Sequence, residues 1–337
     1  MSIRVAINGA GRIGRAFYKL ARERKELEIV AINDLGDIEN IAYLLRYDTV
    51  YGPSGLNVEV TDGNLVIEGK TVKFLQERNP ANLPWGKLDI DVVVESTGAF
   101  TKYEDAQAHL IAGAKKVVIS APGKGDESLG ETILLGVNEN KFKTCQLSSN
   151  GSCTTNAASP IVAIMEETLN IEKALLDTVH SYTASQSLVD GPNKNNWREG
   201  RAAAQNIVPS STGAATSVTK AVEGVPFFDG ISVRVPSVIG SYVDLTFVTK
   251  KETSREEVND ILRRAAEEPR WKGVFKVSDE PLVSSDIRGD LYASIADLEM
   301  TRVVGGNLVK VLAWYDNEMG YTATLVKHIL KMGEYLK

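Results

Sequence analysis

A cysteine lies among hydroxyl and amide side chains in Ser152-Cys153-Thr154-Thr155-Asn156. Apolar residues in segment 161–169 recur with the spacing of one buried helical stripe, so the sequence predicts a helix that begins near Cys153. The first turn of a helix favours a thiolate over a thiol, because its unpaired N–H groups and the positive end of the helix dipole stabilise a negative charge. Cys153 is therefore a candidate nucleophile. The alternative is a small core residue, and that reading suits Cys145 better.

His180 is the candidate partner of this thiol. Segment 174–179 has the composition of a strand and leads directly into His180, which is followed by polar residues. A cysteine and a histidine that are distant in sequence but close in space can form a thiolate–imidazole pair for covalent catalysis. A hydrogen-bonded structural histidine is the alternative. The other histidines, His109 and His328, lie in predicted helices and are interpreted as surface or packing residues.

Three features downstream are candidates for function, and the last two could bind anions. Segment 181–209 is long, irregular and rich in Ser, Asn and Gly, and such a segment inside a compact domain is usually functional. Segment 209–215 predicts a helix start with hydroxyl groups and free amides, which suits inorganic phosphate. Arg234 lies alone in an apolar strand, where a charge is costly unless it meets an anion. From the sequence, Arg234 is either ion-paired for structure or bound to a substrate phosphate.

The N-terminal part carries a dinucleotide-binding pattern. A strand at 4–7 leads into Gly9, Gly11 and Gly14, with the spacing G-x-G-x-x-G, and then into a predicted helix at 16–24. These glycines allow a tight turn, close approach to a pyrophosphate, and close packing of helix on strand. A second strand ends in Asp34, where an acid can bind the adenosine ribose and repel a 2′-phosphate. This favours NAD over NADP, unless Asp34 is only a turn or cap residue.

The remaining pattern of the first half indicates an α/β fold. Strand-like segments 91–95 and 116–120 flank a helical segment at 103–112, which predicts a doubly wound parallel sheet. Small polar residues follow both strands, at the carboxyl edge where such sheets bind ligands. Segment 57–75 alternates around Asp62-Gly63-Asn64 and predicts an antiparallel hairpin insertion.

Composition limits the classes of function. The 337 residues are 43% hydrophobic and 24% charged, as in a soluble protein with two domains, and the net charge of −6 argues against nucleic acid as a primary partner. Two cysteines give no disulfide framework, no metal-ligand set stands out, and the apolar runs are too short to cross a membrane. The N-terminus runs into a strand with no signal peptide. We therefore expect a cytoplasmic protein.

From end to end, the chain resembles a phosphorylating glyceraldehyde-3-phosphate dehydrogenase. The matching stretches are Asn8 to Arg15, Asn33-Asp34, Leu44 to Asp48, Ser149 to Asn156, His180 to Thr183, Arg201 to Ala215, Arg234-Val235-Pro236 and Trp314 to Tyr321. The resemblance implies a Rossmann NAD-binding domain at 1–151, to which a C-terminal helix at 317–337 returns. It implies a catalytic domain with a mostly antiparallel sheet at 152–316. It also implies a homotetramer, with segment 181–209 packed near the cofactor across subunits.

The same resemblance implies the reaction and its residues. Cys153 attacks the aldehyde carbon of glyceraldehyde 3-phosphate, His180 takes the hydroxyl proton as hydride leaves for NAD, and inorganic phosphate cleaves the resulting thioester to 1,3-bisphosphoglycerate. The residues implied for the phosphate carried by the substrate are Thr183 and Arg234, with Arg198 nearby. Those implied for the attacking phosphate are Ser152, Thr154, Thr212 and Gly213. The cofactor would be held by Gly9, Gly11 and Gly14 in the turn, Arg12 and Ile13 at the pyrophosphate, Asp34 at the ribose, Arg78 and Ser120 on the adenine side, and Asn317 at the nicotinamide amide.

Some details leave alternatives. NAD-specific members of the family usually have Leu-Pro where this chain has Gly191-Pro192, so Pro192 and Asp34 indicate NAD while Gly191 leaves room for NADP. Erythrose-4-phosphate dehydrogenase shares the fold and the Cys–His pair, but usually lacks the Ser-Thr-Gly-Ala-Ala segment present at 211–215. A non-catalytic NAD-binding protein, from a different class, should have lost Cys153 or His180, and both are present.

Overall fold

The computed structural model describes residues 2–194 and 196–336. The strands are β1 (Ile3–Asn8), β2 (Leu27–Asn33), β3 (Val58–Thr61), β4 (Asn64–Ile67), β5 (Lys70–Leu75), β6 (Val92–Glu95), β7 (Lys116–Ile119), β8 (Glu131–Thr132), β9 (Leu147–Ser149), β10 (Ile171–Ser181), β11 (Val208–Ser211), β12 (Phe228–Val235), β13 (Ser241–Thr249), β14 (Phe275–Ser278), β15 (Ser294–Val304) and β16 (Leu308–Tyr315). The helices are α1 (Arg12–Ala21), α2 (Ile38–Arg46), α3 (Tyr103–Ile111), α4 (Cys153–Leu169), α5 (Ala214–Thr219), α6 (Arg255–Ala266) and α7 (Met319–Gly333).

The first nine strands form one sheet in the order β3-β4-β5-β2-β1-β6-β7-β9-β8. All neighbours from β5 to β8 are parallel, and β6 and β7 are buried along their whole length. Their apolar side chains therefore pack on both faces, as expected for a parallel sheet covered by helices. The doubly wound sheet predicted from the sequence is confirmed.

Segment 57–75 is antiparallel, as predicted, but forms three strands rather than one hairpin. The β3–β4 turn has positive φ at Asp62 and Gly63. A second turn, with positive φ at Glu68 and Gly69, connects β4 and β5. Strand β5 then pairs in parallel with β2. The insertion is thus continuous with the main sheet.

The remaining seven strands form a second sheet in the order β11-β12-β10-β13-β16-β15-β14. Only the β10–β12 and β14–β15 pairs are parallel, so the sheet is mostly antiparallel, as the resemblance implied. The buried helix α4 packs on β13, β15 and β16, and α6 packs on β14 and β15. Strand β10 alternates between buried and less buried positions before it ends in the buried pair His180 and Ser181.

The chain groups into two compact units. One contains residues 2–133, 139–151 and 325–336, and the other contains residues 134–138 and 152–324. Helix α7 contributes to both units, its first turns to the second and the remainder to the first. Within the part of the chain that the structure describes, no helix is both long and apolar enough to span a membrane.

Candidate active site

Cys153 is the first residue of α4, where the sequence predicted a helix start. The Ser152 hydroxyl accepts a hydrogen bond of 3.0 Å from the Thr155 N–H and so caps the helix. Most of the helix behind Cys153 is buried, whereas Cys153 itself is half-buried. Cys145, by contrast, is buried, and its thiol donates to the Leu147 carbonyl at 3.0 Å. The helix start therefore presents one accessible thiol, and Cys145 is a core residue as interpreted.

His180 lies beside this thiol, at the end of β10. Its Nε2 is 3.3 Å from Cys153 Sγ, and its Nδ1 is 2.7 Å from the Ser181 carbonyl oxygen. A carbonyl can only accept, whereas a guanidinium nitrogen of Arg234, which can only donate, also lies 2.6 Å from Nδ1. The two neighbours of Nδ1 therefore favour opposite tautomers, and Nε2 is the ring nitrogen that faces the thiol. The structure thus brings together the predicted nucleophile and a histidine placed to act as its base.

The protonation of the pair differs from the sequence expectation. Burial raises the pKa of the Cys153 thiol, although Arg234 and hydrogen bonds from Thr154 oppose the rise. Burial, and then the charge of Arg234, lower the pKa of His180 to about 3. The expectation that the helix start would lower the pKa of Cys153 is wrong for this structure, because removal from water outweighs the helix start. Both partners are neutral here.

Arg234 lies directly opposite His180 in the parallel β10–β12 pair. One of its guanidinium nitrogens is 2.6 Å from His180 Nδ1 and 3.3 Å from the Ser181 carbonyl, and its Nε is buried with no partner. Within residues 2–194 and 196–336, no carboxylate forms an ion pair with it. The structure therefore disfavours the structural ion pair that the sequence left open. A half-buried cation without a carboxylate can bind an anion.

The other predicted anion ligands occupy distinct places. Thr183 follows β10 and contacts Ser185, and Arg198 lies exposed on a 3₁₀ turn, Trp197–Gly200. Thr212 and Gly213 lie between β11 and α5, where the Thr212 hydroxyl accepts from the Ala214 N–H at 3.2 Å.

The register of β11 on β12 separates two anion positions. It sets Arg234 opposite Val208, at one end of β11, whereas Thr212 follows the other end. Four strand residues span roughly 13 Å. Arg234 and Thr212 therefore mark two positions rather than one.

Tyr315 is a member of the site that the sequence reasoning missed. Its hydroxyl is 2.9 Å from the Thr154 and Thr178 hydroxyls, and its ring meets the His180 ring edge-on at 6.0 Å. Thr154 is itself buried, so the contact with Tyr315 fixes the position of its hydroxyl beside Cys153. The sequence signal that could have found it is a tyrosine at the end of a mostly apolar strand, β16. A phenol buried at such a position needs a hydrogen-bond partner.

In the other unit, the glycine turn borders a cavity of about 340 Å³. The predicted residues Gly9, Gly11, Asp34 and Arg78 line it. Gly9 has φ +100°, and a Cβ on Gly14 would lie 2.0 Å from the Gly9 carbonyl oxygen, so both positions require glycine. A Cβ on Gly11 would meet nothing within 4 Å, so at that position the backbone is open to a ligand.

Helix α1 begins at Arg12, with neither a side-chain cap nor an acid in its first turn. The N–H groups of Arg12 and Ile13 thus lie at an uncapped helix start, which favours a pyrophosphate. The Arg12 side chain pairs with Asp48 at 2.6 Å. Ser120 follows β7, and its N–H donates to the Glu95 carbonyl.

The Asp34 carboxylate accepts hydrogen bonds from the Ala10 N–H at 2.6 Å and the Gly36 N–H at 2.8 Å. The turn role that the sequence left open for Asp34 is thus present. Since each carboxylate oxygen can accept a second bond, this role does not prevent contact with a ribose.

Asn317 lies just after β16, in the second unit. Its Oδ1 accepts from the Gly240 N–H and the Ser241 hydroxyl, and its Nδ2 has no partner among the residues that the structure describes. The side chain is thus fixed at one end and has free donors at the other.

Comparison with known proteins identifies the family of this chain. Residues 3–103 match the family model described as glyceraldehyde 3-phosphate dehydrogenase, NAD binding domain, and residues 152–317 match the C-terminal domain model of the same enzyme. The chain belongs to the glyceraldehyde 3-phosphate dehydrogenase family. It is 44% identical over 340 residues to the glyceraldehyde-3-phosphate dehydrogenase of Streptomyces coelicolor, covering 100% of both chains. It is 45% identical to that of Geobacillus stearothermophilus (97% of each chain) and 47% identical to that of Thermotoga maritima (96% of this chain, 97% of the relative).

Family membership confirms the resemblance, the two-part α/β fold and NAD as the cofactor. The chain is an NAD-dependent oxidoreductase. In residues 2–194 and 196–336, no group of three or more His, Cys, Asp or Glu side chains is arranged to hold a metal ion.

Proposed function

We propose that the protein oxidises glyceraldehyde 3-phosphate to 1,3-bisphosphoglycerate with NAD and inorganic phosphate, as a glycolytic enzyme. The observation that carries the proposal is the 3.3 Å contact between Cys153 Sγ and His180 Nε2. This contact supplies a nucleophile and its base. The names of the relatives supply the substrate.

In the proposed mechanism, the Cys153 thiol transfers its proton to His180 Nε2 as sulfur attacks the aldehyde carbon. His180 returns this proton to the oxygen of the adduct, which becomes a hydroxyl, and accepts it again as hydride leaves the same carbon. Bound NAD would supply the acceptor for the departing hydride. The carbon is oxidised and remains bound to Cys153 as a thioester. A phosphate oxygen then attacks the thioester carbon, the carbon–sulfur bond breaks, and the thiolate of Cys153 leaves as an acyl phosphate forms.

We assign the two phosphates to the two anion positions. Arg234, with Thr183 and Arg198, would hold the phosphate carried by the aldehyde. Thr212 and Gly213, with Ser152 and Thr154, would hold the attacking phosphate. The lack of a carboxylate at Arg234 and the strand length between Arg234 and Thr212 support this division.

We also assign the cofactor residues. Gly9, Gly11 and Gly14 would form the pyrophosphate turn with the N–H groups of Arg12 and Ile13. Asp34 would bind the ribose, Arg78 and Ser120 the adenine side, and Asn317 the nicotinamide amide. The cavity, the uncapped start of α1 and the free Nδ2 of Asn317 suit these groups. The NAD-binding domain would comprise 1–151 with 317–337, and the catalytic domain 152–316.

The proposed assembly is a homotetramer in the cytoplasm, where two free thiols persist. Large apolar side chains are exposed on segment 181–209, at Leu188, Val189, Trp197 and Ile207, and on the second sheet at Leu175 and Ile231. Exposed apolar clusters of this kind are typical of subunit interfaces. Light scattering should give four times the mass of the chain, and Trp197→Glu should reduce it. Ile111→Glu, at an equally exposed apolar residue in the other unit, should not.

Erythrose 4-phosphate is the second candidate substrate, and a non-catalytic NAD-binding role is the third reading. The Thr212–Gly213 segment favours the phosphorylating reaction over the erythrose enzyme, and the intact Cys153–His180 contact disfavours the non-catalytic role.

NADH formation by the purified protein separates these readings. Glyceraldehyde 3-phosphate with phosphate should give rapid turnover, and omission of phosphate should stop turnover after about one acyl group per site. Cys153→Ser should be inactive, whereas Cys145→Ser should retain activity. Equal turnover with and without phosphate, or preference for erythrose 4-phosphate, would contradict the proposal.

A further inference from the structure

A polar chain runs from the catalytic base to Asn317 within the second unit. The Ser181 N–H donates to the Ser241 hydroxyl oxygen at 3.1 Å, and the Ser241 hydroxyl donates to Asn317 Oδ1 at 3.1 Å. Ser181 is also the residue whose carbonyl oxygen lies 2.7 Å from His180 Nδ1. One residue therefore touches both the base and the support of Asn317.

The direction of every bond in this chain is determined. A backbone N–H can only donate, so Ser241 Oγ must accept from Ser181 and has its single proton left for Asn317. The Gly240 N–H donates to the same Asn317 oxygen at 3.2 Å. Two donors thus identify the bound atom of the amide as Oδ1. The Nδ2 donors then point away from Gly240 and Ser241.

The surroundings hold these donors in place. Ser241 is buried at the start of β13, and Gly240 has φ +85°. A Cβ on Gly240 would lie 2.2 Å from the Ser284 carbonyl oxygen, so the backbone that carries this N–H packs directly on a neighbouring loop. The Ser181 hydroxyl adds a bond to the Gly240 carbonyl at 3.1 Å. An amide held in this way cannot flip without breaking two hydrogen bonds.

We propose that Ser241 is a positioning residue that fixes the amide of Asn317, so that Nδ2 donates to the carboxamide oxygen of the nicotinamide. The inference rests on the role proposed above for Asn317. It adds that Ser241 ties this donor to the same residue, Ser181, whose carbonyl contacts Nδ1 of His180. One polar chain thereby links the base to the nicotinamide contact.

Binding of NAD and of ADP-ribose tests the role of Ser241, because ADP-ribose lacks the nicotinamide. Ser241→Ala should weaken NAD about three- to tenfold, the worth of one hydrogen bond, and leave ADP-ribose within about twofold. Asn317→Ala should show the same selectivity, and Ser241→Ala should add nothing to it.

Ser294→Ala is the matched control, because Ser294 is a fully buried serine of the same sheet whose hydroxyl has no partner. It should not change the ratio of the two affinities. If Ser241→Ala does not fold, Ser241→Cys, with its weaker donor, is measured in the same way and should lose NAD affinity selectively.

The outcomes separate the two claims. If Asn317→Ala weakens NAD selectively and the Ser241 variants do not, the positioning role is wrong and the proposed function stands. If the Ser241 variants weaken NAD and ADP-ribose equally, Ser241 is only structural. If Asn317→Ala leaves NAD affinity unchanged, the proposed role of Asn317 is wrong, and the inference is overturned with it.

Discussion

The Nδ1 atom of His180 lies 2.6 Å from a guanidinium nitrogen of Arg234. The two residues face each other across the parallel β10–β12 pair, and the arginine charge, second to burial, lowers the pKa of His180. An anion bound to Arg234 would offset this charge. The pKa of His180 would then rise, so the phosphate of the substrate would strengthen the base at the moment the aldehyde arrives.

Thiol labelling tests the effect of the Arg234 charge on Cys153. Iodoacetamide should label Cys153 ahead of Cys145, which is buried and bonded to a carbonyl. Arg234→Gln should slow labelling of Cys153, because the guanidinium lowers the pKa of that thiol and its loss leaves a smaller fraction of thiolate. Iodoacetate, which carries a charge that Arg234 attracts, should be slowed further.

Arg270→Gln is the control for this experiment, because Arg270 pairs with Glu167 and Glu268 on the surface of the same unit. It should leave both rates unchanged. Mass spectrometry that finds Cys145 modified first, with activity lost in step, would contradict the assignment of the nucleophile.

His180→Asn should lower kcat by on the order of 10²–10⁴, the usual worth of general acid–base catalysis. Asn can still donate to the Ser181 carbonyl, so folding and NAD affinity should persist. Stopped-flow measurement of the acylation step checks the prediction. Near-native acylation in a folded variant would show that another group removes the proton.

The sequence predicted those features that depend on local pattern. The start of α4 at Cys153, the strand that ends at His180 and the glycine turn all follow from spacing over a few residues. The contact between His180 and Arg234 could not be predicted. It depends on the register of the β10–β12 pair, and about 50 residues separate these two strands in the sequence.

The same reason explains the two errors of detail. The raised pKa of Cys153 depends on burial by residues far along the chain, and helix-start chemistry alone gives the opposite sign. Segment 57–75 contains a second turn at Glu68-Gly69 that lacks the Asn-Gly or Asp-Gly signature of a hairpin. Tyr315 and Ser241 were missed because their partners, Thr154 and Asn317, lie on other elements far along the chain.

The two anion positions should separate kinetically. Arg234→Gln should raise KM for glyceraldehyde 3-phosphate about 10- to 100-fold, because a hydrogen bond to a charged group is worth about 1.5–3 kcal/mol. Thr212→Ala removes a neutral hydroxyl and should raise KM for phosphate only about two- to tenfold. Thr219→Ala, whose hydroxyl bonds Thr216 on the same helix, is the matched control. Equal effects of both variants on both ligands would refute the division.

Acid should destabilise the protein through its buried neutral histidines. Burial lowers the pKa of His328 to about 3, and its ring nitrogens contact the Ser148 hydroxyl and Asn150 Oδ1. Below pH 6.5 the unfolded chain binds a proton that the folded chain does not. The free energy of unfolding therefore decreases as the pH is lowered below 6.5, by about 1.4 kcal/mol per pH unit for this group.

The variant His328→Gln isolates this contribution. At pH 7.5 it should be less stable than the unmodified protein in urea, because it packs less well against Phe142. The difference should shrink as the pH falls from 6.5 towards 4. A difference that stays constant over this range would show that His328 is protonated in the folded protein.

Asp34 and Gly191 have opposite expected effects on the choice between NAD and NADP. The Asp34 carboxylate lines the cavity beside the glycine turn and would repel a 2′-phosphate, whereas Gly191 is exposed and has no side chain that could exclude one. An unrelieved charge repulsion costs several kcal/mol, more than one missing contact returns, so NAD should be preferred strongly.

Asp34→Asn removes the charge and keeps an oxygen that can accept from the Ala10 N–H. It should reduce the ratio of kcat/KM for NAD over NADP by about tenfold or more, and adding Pro192→Ser should reduce it further. The ratio is its own control, because any distortion of the glycine turn affects both cofactors alike. Comparable kcat/KM values for the two cofactors in the unmodified protein would mean that the loop at Gly191 outweighs the acid.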